Sequence, residues 1–100
     1  MMNSDQVRQA SAEDIEAWIV ARIADMVNIA PDAVSPAAPF ESFGIDSAKA
    51  ISLMMELENW LNLPEELPLD LLFEAEAIRD AAINIAAAAK GMDVSGADAQ

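Results

Sequence analysis

The sequence contains no cysteine and no histidine. Without cysteine the chain can form neither a disulfide framework nor a thiolate site, and without histidine it also lacks the usual zinc ligand and the usual catalytic base. These absences argue against a metal site and against a self-sufficient catalyst. We therefore expect a protein that is not an enzyme and whose chemistry is borrowed from another molecule.

Long apolar runs are absent as well. No stretch approaches the roughly 18 consecutive apolar residues of a membrane-spanning helix. Residues 1–9 also lack the apolar segment of a secretory signal. We therefore expect a cytoplasmic protein that does not enter a membrane.

Basic residues are scarce: five Lys and Arg stand against 18 Asp and Glu, for a formal net charge of −13. Such a charge repels the backbone of nucleic acids and anionic membrane surfaces, so neither is an expected partner. Basic proteins are the expected partners instead. The length of 100 residues allows one small domain, which we expect to be a monomer.

The first half of the chain predicts one helix, a loop and a second helix. Apolar residues recur at helical spacing over residues 12–28, after Ser11, which with Asp14 forms an imperfect capping box. Residues 30–43 contain three prolines and no sustained period, which predicts a long loop. A second helix is predicted over residues 47–61.

The second half predicts a short helix over residues 69–73 and an alanine-rich helix over residues 75–89, closed by Gly91. The boundary between them stays open, because residues 74–77 offer neither a proline stop nor a threonine cap. The two helices could merge or meet at a weak cap. With no alternating strand pattern, the fold class is all-α: a small four-helix bundle with a long loop between helices I and II and a short helix III.

Three regions are expected along the chain. Residues 1–11 are polar and unpatterned and predict a flexible N-terminal arm, and residues 91–100 predict a flexible C-terminal tail. Residues 12–90 form the folded domain between them.

The faces of the second helix follow from its apolar spacing. The inward stripe is predicted to contain Ile51, Met54, Leu57 and Leu61, with Leu53 on the adjoining edge. Met55 cannot share a face with Met54 and is expected to point outward.

The segment Gly44-Ile45-Asp46-Ser47 at the start of this helix is the most informative one. Glycine can take the positive φ of a sharp turn, and aspartate is a natural N-cap. A serine in the first turn lies where free N–H groups and the helix dipole favour anions, so a phosphodiester could be attached to Ser47. The alternative is that Asp46 or Ser47 only caps the helix.

The run Phe43-Gly44-Ile45-Asp46-Ser47, followed by Ile51, Leu53, Met54, Leu57 and Leu61, resembles the signature of the acyl carrier proteins. The similarity extends over about residues 12–90. It implies a helical bundle in which Ser47 carries a covalent 4′-phosphopantetheine, with Asp46 and Gly44 completing the motif. The thiol of this arm would hold acyl or polyketide intermediates as thioesters. Finer features of the sequence resemble polyketide-type carriers more than primary fatty-acid carriers.

The resemblance also implies partners. These are a phosphopantetheinyl transferase and acyl-loading and acyl-processing enzymes such as ligases, acyltransferases and ketosynthases. Residues 56–80 hold eight acidic residues and one basic residue, which favours a docking surface that includes Glu56 and Glu58. Ala48 and Met55 would add apolar contacts next to Ser47. A solvated acidic face and a lone surface methionine are the alternatives.

Two other functions stay open. A peptidyl carrier of nonribosomal peptide synthesis shares the fold and the cofactor, although such carriers usually show a second glycine where Ile45 stands. A carrier-like helical interaction module that is never modified is the other alternative.

Overall fold

The computed structural model describes residues 7–92. They form four α-helices and two short 3-10 helices: α1 (Ala12–Val27), 3-10 turns at Pro31–Ala33 and Phe40–Phe43, α2 (Ser47–Leu61), α3 (Asp70–Phe73) and α4 (Ile78–Gly91). No strand occurs within residues 7–92. The expected all-α fold, with its long first loop and short third helix, is confirmed.

The ends of α1 and α2 are built from local hydrogen bonds. The Ser11 hydroxyl accepts from the Asp14 N–H at 3.1 Å, and the Asp14 carboxylate accepts from the Ser11 N–H at 3.0 Å, which is a complete capping box. Asn28 and Asn62 end the two helices in the left-handed conformation, with φ of 61° and 58°. Both helices therefore begin where the sequence predicts, and α2 also ends there.

The core lies between α1, α2 and α4, and α1 packs directly against α4. Its fully buried large side chains come from all three helices: Ile15, Ile19, Ile23, Leu53, Met54, Leu57, Leu61, Ile78 and Ile85. No polar side chain is buried among the described residues. Hydrophobic burial therefore accounts for the packing of the bundle.

The predicted inward face of α2 is wrong at one position. Ile51 is 43% exposed, whereas Leu53, expected at the edge, is 1% exposed and belongs to the core with Ala50. At roughly 100° per residue, Ile51 and Leu53 lie on opposite flanks of the stripe through Met54 and Leu57. The other elements cover the Leu53 flank and leave the Ile51 flank open.

Helix α4 begins later than the sequence predicts, at Ile78 instead of residue 75, and the third and fourth helices do not merge. Ala77 is the N-cap and its side chain makes no capping hydrogen bond. The long first loop caps the helix instead: the Ile78 N–H donates to the Ala38 carbonyl at 3.0 Å and the Arg79 N–H to the Pro36 carbonyl at 2.9 Å. A tertiary contact thus satisfies amides that a serine or threonine would otherwise bind.

The prediction that Gly91 lies beyond the last helix is wrong. Gly91 is the final residue of α4, and Met92 follows as the C-cap with φ of −90°. Gly44 is the one glycine with positive φ in the described part of the chain. Residues 93–100 of the expected tail lie outside the described residues.

The segment just before α1 packs on the bundle. Val7 is buried, and the Arg8 N–H donates to the Leu61 carbonyl at 2.8 Å. The Arg8 side chain donates from Nε to the Trp60 carbonyl at 2.7 Å and lies 4.9 Å from the centre of the Trp60 ring. Trp60 in turn stacks on Trp18, with ring centroids 5.5 Å apart. Of the expected arm over residues 1–11, residues 1–6 lie outside the described range, and the rest adjoins the domain.

Candidate phosphopantetheine attachment site

A short turn directs the chain into the N-terminus of α2. Phe40 and Ile45 are buried and anchor the two sides of this turn. Between them Gly44 adopts φ of 72° and ψ of 26°, and its N–H donates to the Glu41 carbonyl at 3.1 Å. A side chain at Gly44 would be strained by its backbone conformation, although space around it is open.

Asp46 is the N-cap of α2. Its Oδ1 accepts from the Lys49 N–H at 3.0 Å, and its backbone carbonyl accepts from the Ala50 N–H at 2.8 Å. The hydrogen bond from the Lys49 backbone, followed by the charge of Lys49, holds the pKa of the Asp46 carboxyl below its usual value. Asp46 is therefore ionised at neutral pH and occupies the capping position.

Ser47 is the first residue of α2 and is exposed. Because Asp46 provides the cap, the structure does not use the Ser47 side chain for this purpose. Gly44, Asp46 and Ala48 around it are exposed as well, so no core side chain blocks an attached group. The residues present therefore fit a phosphodiester on Ser47 Oγ, at the end of the helix that favours anions.

The structure brings Ala48 and Met55 to the outer surface of α2. Both are exposed, and Met55 is 62% accessible. Met55 lies about two turns beyond Ser47 along the helix, about 12 Å at the α-helical rise. The expected outward position of Met55 is confirmed.

The two acidic residues predicted to dock partners contact their own chain. Glu56 Oε1 lies 2.7 Å from Arg22 Nε of α1. Glu58 Oε2 accepts a hydrogen bond from the Leu67 N–H at 2.7 Å. Both carboxylates therefore make contacts within the fold and are not only part of a solvated face.

A surface groove of about 770 Å³ runs beside α2, between this helix and the segment that leads to α3. Ile51 and Met55 line it from α2, and Leu63, Pro64 and Leu67 line it from the opposite side. Sequence reasoning missed Ile51 and the loop as parts of one surface. The two prolines of the segment, Pro64 and Pro68, marked it as a turn but gave no signal of where it folds back.

Two other kinds of site are absent from the described residues. Residues 7–92 contain no group of three or more carboxylate, histidine or cysteine side chains placed to bind a metal ion. The helices in this range are also too short or too polar to cross a membrane.

The chain as a whole is similar to known carrier proteins. Residues 17–84 match the model of the phosphopantetheine attachment site family. The solution structure of Asl1650, an acyl carrier protein from Anabaena sp. PCC 7120 with a variant phosphopantetheinylation-site sequence, superposes with a TM-score of 0.69. It is 29% identical, and the match covers 87% of this chain and 94% of that one.

Two curated relatives share shorter stretches. Acyl carrier protein TtuC of Teredinibacter turnerae is 36% identical over 50 residues, which is 50% of this chain and 58% of the relative. Highly reducing polyketide synthase 2 of Gibberella zeae is 43% identical over 44 residues, 44% of this chain and 2% of that enzyme. The chain thus spans little more than half of the first relative and a small segment of the second.

The chain therefore belongs to the phosphopantetheine attachment site family, and the acyl carrier protein class predicted from its sequence is confirmed. The covalent cofactor of this family is 4′-phosphopantetheine. The match to a polyketide synthase agrees with the expected polyketide-type resemblance.

Proposed function

We propose that Ser47 is the residue to which 4′-phosphopantetheine is attached, and that the chain carries acyl or polyketide intermediates to partner enzymes. The observation that carries this proposal is the exposed hydroxyl at the first position of α2, left out of the cap by Asp46. When bound, the cofactor supplies a thiol that forms a thioester with the acyl group. The chain itself contributes the Ser47 oxygen and the rigid turn that presents it.

Asp46 and Gly44 support the site without reacting. Gly44 provides the left-handed turn, and Asp46 holds the first turn of α2 so that Ser47 faces solvent. Ala48, Met55 and the acidic residues nearby form the surface that a transferase would cover. Basic ligases, acyltransferases and ketosynthases are the other proposed partners, because their charge complements this surface. We further propose that the carrier is monomeric and cytoplasmic and has no enzymatic activity of its own.

Incubation with a promiscuous phosphopantetheinyl transferase, coenzyme A and Mg²⁺ tests the attachment residue. The intact protein should gain the mass of one phosphopantetheinyl group, and Ser47→Ala should gain none. Ser11→Ala and Ser52→Ala are matched controls, since Ser11 also stands at a helix N-terminus and Ser52 is exposed on α2. Both should be modified like the original protein.

Ser47→Ala should keep its helical circular dichroism, because surface substitutions usually change stability by no more than about 0.5 kcal/mol. Modification of Ser47→Ala, or a label on another serine, would contradict the proposal. A wild-type protein that is never labelled would favour the unmodified interaction module instead. Loading of the holo form by an aminoacyl-adenylating enzyme, and not by acyl ligases, would favour the peptidyl carrier.

A further inference from the structure

The segment that follows α2 is held at both ends by one residue, Glu58. At its start, the Leu63 N–H donates to the Glu58 backbone carbonyl at 3.1 Å. At its end, the Leu67 N–H donates to Glu58 Oε2 at 2.7 Å. The chain therefore leaves the helix, turns through Pro64 and returns to the same residue.

The bond to the carboxylate is the one that brings the segment back. A hydrogen bond from an N–H to an ionised carboxylate is shorter and stronger than one between neutral groups, and 2.7 Å is a distance typical of it. Leu67 itself is only 4% exposed and packs with the core. Glu58 is half-buried, and its carboxylate is bonded to the loop at Leu67.

This arrangement decides where the exposed acids of the loop lie. Glu65 and Glu66 are exposed residues between the two bonded ends, and both line the groove beside α2. Ile51 and Met55 line the same groove from the helix. If Leu67 left Glu58, the two loop carboxylates would no longer be held at a set position relative to these apolar side chains.

We propose that Glu58 is a positioning residue, which acts on partner recognition by latching the loop to α2 and not by contacting the partner with its own charge. The inference rests on the proposed carrier function, since it concerns how the transferase and later enzymes meet this surface. Under this proposal Glu65 and Glu66 make the direct electrostatic contact with the partner, and Glu58 fixes where these two residues lie.

Two conservative substitutions at Glu58 separate the effect of side-chain length from the effect of charge. Glu58→Gln keeps a side-chain oxygen at the same distance but removes the charge, whereas Glu58→Asp keeps the charge but withdraws it by one methylene. A positioning role predicts that Glu58→Asp loses function and that Glu58→Gln keeps most of it. A docking charge predicts the reverse order. Glu56→Gln is the matched control, because it removes a charge two residues away whose contact is with Arg22 and not with the Leu67 N–H.

The first readout is hydrogen exchange of the Leu67 amide by NMR, which does not depend on carrier activity. Loss of a hydrogen bond to a charged acceptor should speed this exchange about tenfold or more in Glu58→Asp. The exchange should rise less in Glu58→Gln and stay unchanged in Glu56→Gln. The second readout is transferase kinetics at low salt, where Glu58→Asp should raise KM several-fold with kcat unchanged.

Three results would overturn the inference. They are unchanged Leu67 exchange in Glu58→Asp, a KM that stays at the wild-type value although the amide is released, and a larger KM increase in Glu58→Gln than in Glu58→Asp. Failure of the proposed carrier function can be distinguished from these results, because the wild-type protein itself would then not be labelled.

Discussion

Arg22 of α1 and Glu56 of α2 form an ion pair across the two helices, with 2.7 Å between Nε and Oε1. Arg22 also pairs with Asp25 on its own helix at 2.8 Å. A charge reversal at Glu56 would therefore disturb the contact between α1 and α2 as well as any partner. Charge reversal at Glu56 is for this reason a poor test of docking, because such a test must leave the fold intact.

Glu65 and Glu66 allow a cleaner test of electrostatic docking. The double substitution Glu65→Lys and Glu66→Lys should slow modification by the transferase at low salt, because steering charges act mainly on the association rate. The wild-type rate should fall as salt rises, since screening acts over about 10 Å at 0.1 M ionic strength. Stopped-flow or initial-rate measurements over a salt series check both effects.

The double variant should also show a flatter salt dependence with unchanged circular dichroism. Equal low-salt rates for the variant and the wild type would show that the acidic surface is only a solvated face and does not steer the transferase. Recognition would then depend on Ala48, Met55 and the turn before Ser47.

The two faces of α2 contribute differently to the stability of the protein. Leu57→Ala should lower the free energy of unfolding by about 2–5 kcal/mol, because the side chain is completely buried and its loss leaves a cavity. Met55→Ala should change it by no more than about 0.5 kcal/mol, since Met55 is 62% exposed. Urea denaturation of both variants measures the difference. Equal losses would contradict the orientation of α2.

Asp46 should make the stability of α2 depend on pH. Its folded pKa lies below the unfolded value of about 3.9, so its stabilising contribution is fully present above that value. The contribution is lost as the pH falls through the folded pKa, where the carboxylate is protonated and caps the helix less well. Asp46→Asn lacks this titration.

The difference in melting temperature between wild type and Asp46→Asn should therefore change between neutral pH and acid, and the wild type should lose its advantage in acid. NMR titration of the Asp46 carboxyl carbon should show a midpoint below the ordinary aspartate value. A midpoint at or above that value would argue against the hydrogen bond from the Lys49 backbone as a stabilising contact.

Arg8 should tie residues before α1 to the tryptophan pair. Arg8→Ala removes the hydrogen bond to the Trp60 carbonyl and the cation–π contact with its ring, each worth about 0.5–1.5 kcal/mol. Together these losses should lower the free energy of unfolding by at least about 1 kcal/mol and change the tryptophan fluorescence.

Arg79→Ala is the control for Arg8, because Arg79 pairs with Glu16 at 3.2 Å and takes no part in the Trp18–Trp60 stack or the Arg8 contact. Exposed pairs contribute about 0–1 kcal/mol, so stability alone does not distinguish the two variants. Fluorescence does, and an identical emission spectrum for Arg8→Ala and the wild type would show that Arg8 does not hold the Trp60 ring.

Features that depend on neighbours along the chain could be predicted from the sequence alone. The capping box of Ser11 and Asp14, the start of α2 at Ser47 and the Asp46 cap involve residues at most three positions apart. Such hydrogen bonds depend on the backbone of one helical turn, which local sequence specifies. The resemblance to the carrier signature needed a longer stretch, the run Phe43-Gly44-Ile45-Asp46-Ser47 followed by the apolar residues of the second helix.

Features that depend on distant residues could not be predicted in this way. Helical periodicity places Ile51 and Leu53 on the two flanks of one stripe, and only the packing of the bundle decides which flank is covered. The start of α4 depends on carbonyls of Ala38 and Pro36, which lie far earlier in the chain.

The contact that Glu58 makes could not be predicted from the sequence either. In sequence it is one acid in an acidic run, and its contact with the Leu67 N–H arises because the chain turns back on α2. Sequence by itself therefore determined helices α1 and α2, the Asp46 cap and the place of Ser47 at the first position of α2, since each is set by short-range hydrogen bonds and periodicity. Tertiary structure decided which apolar flank is buried and which carboxylates bond to distant parts of the chain, because burial and hydrogen bonding between distant segments exist only once the chain has folded.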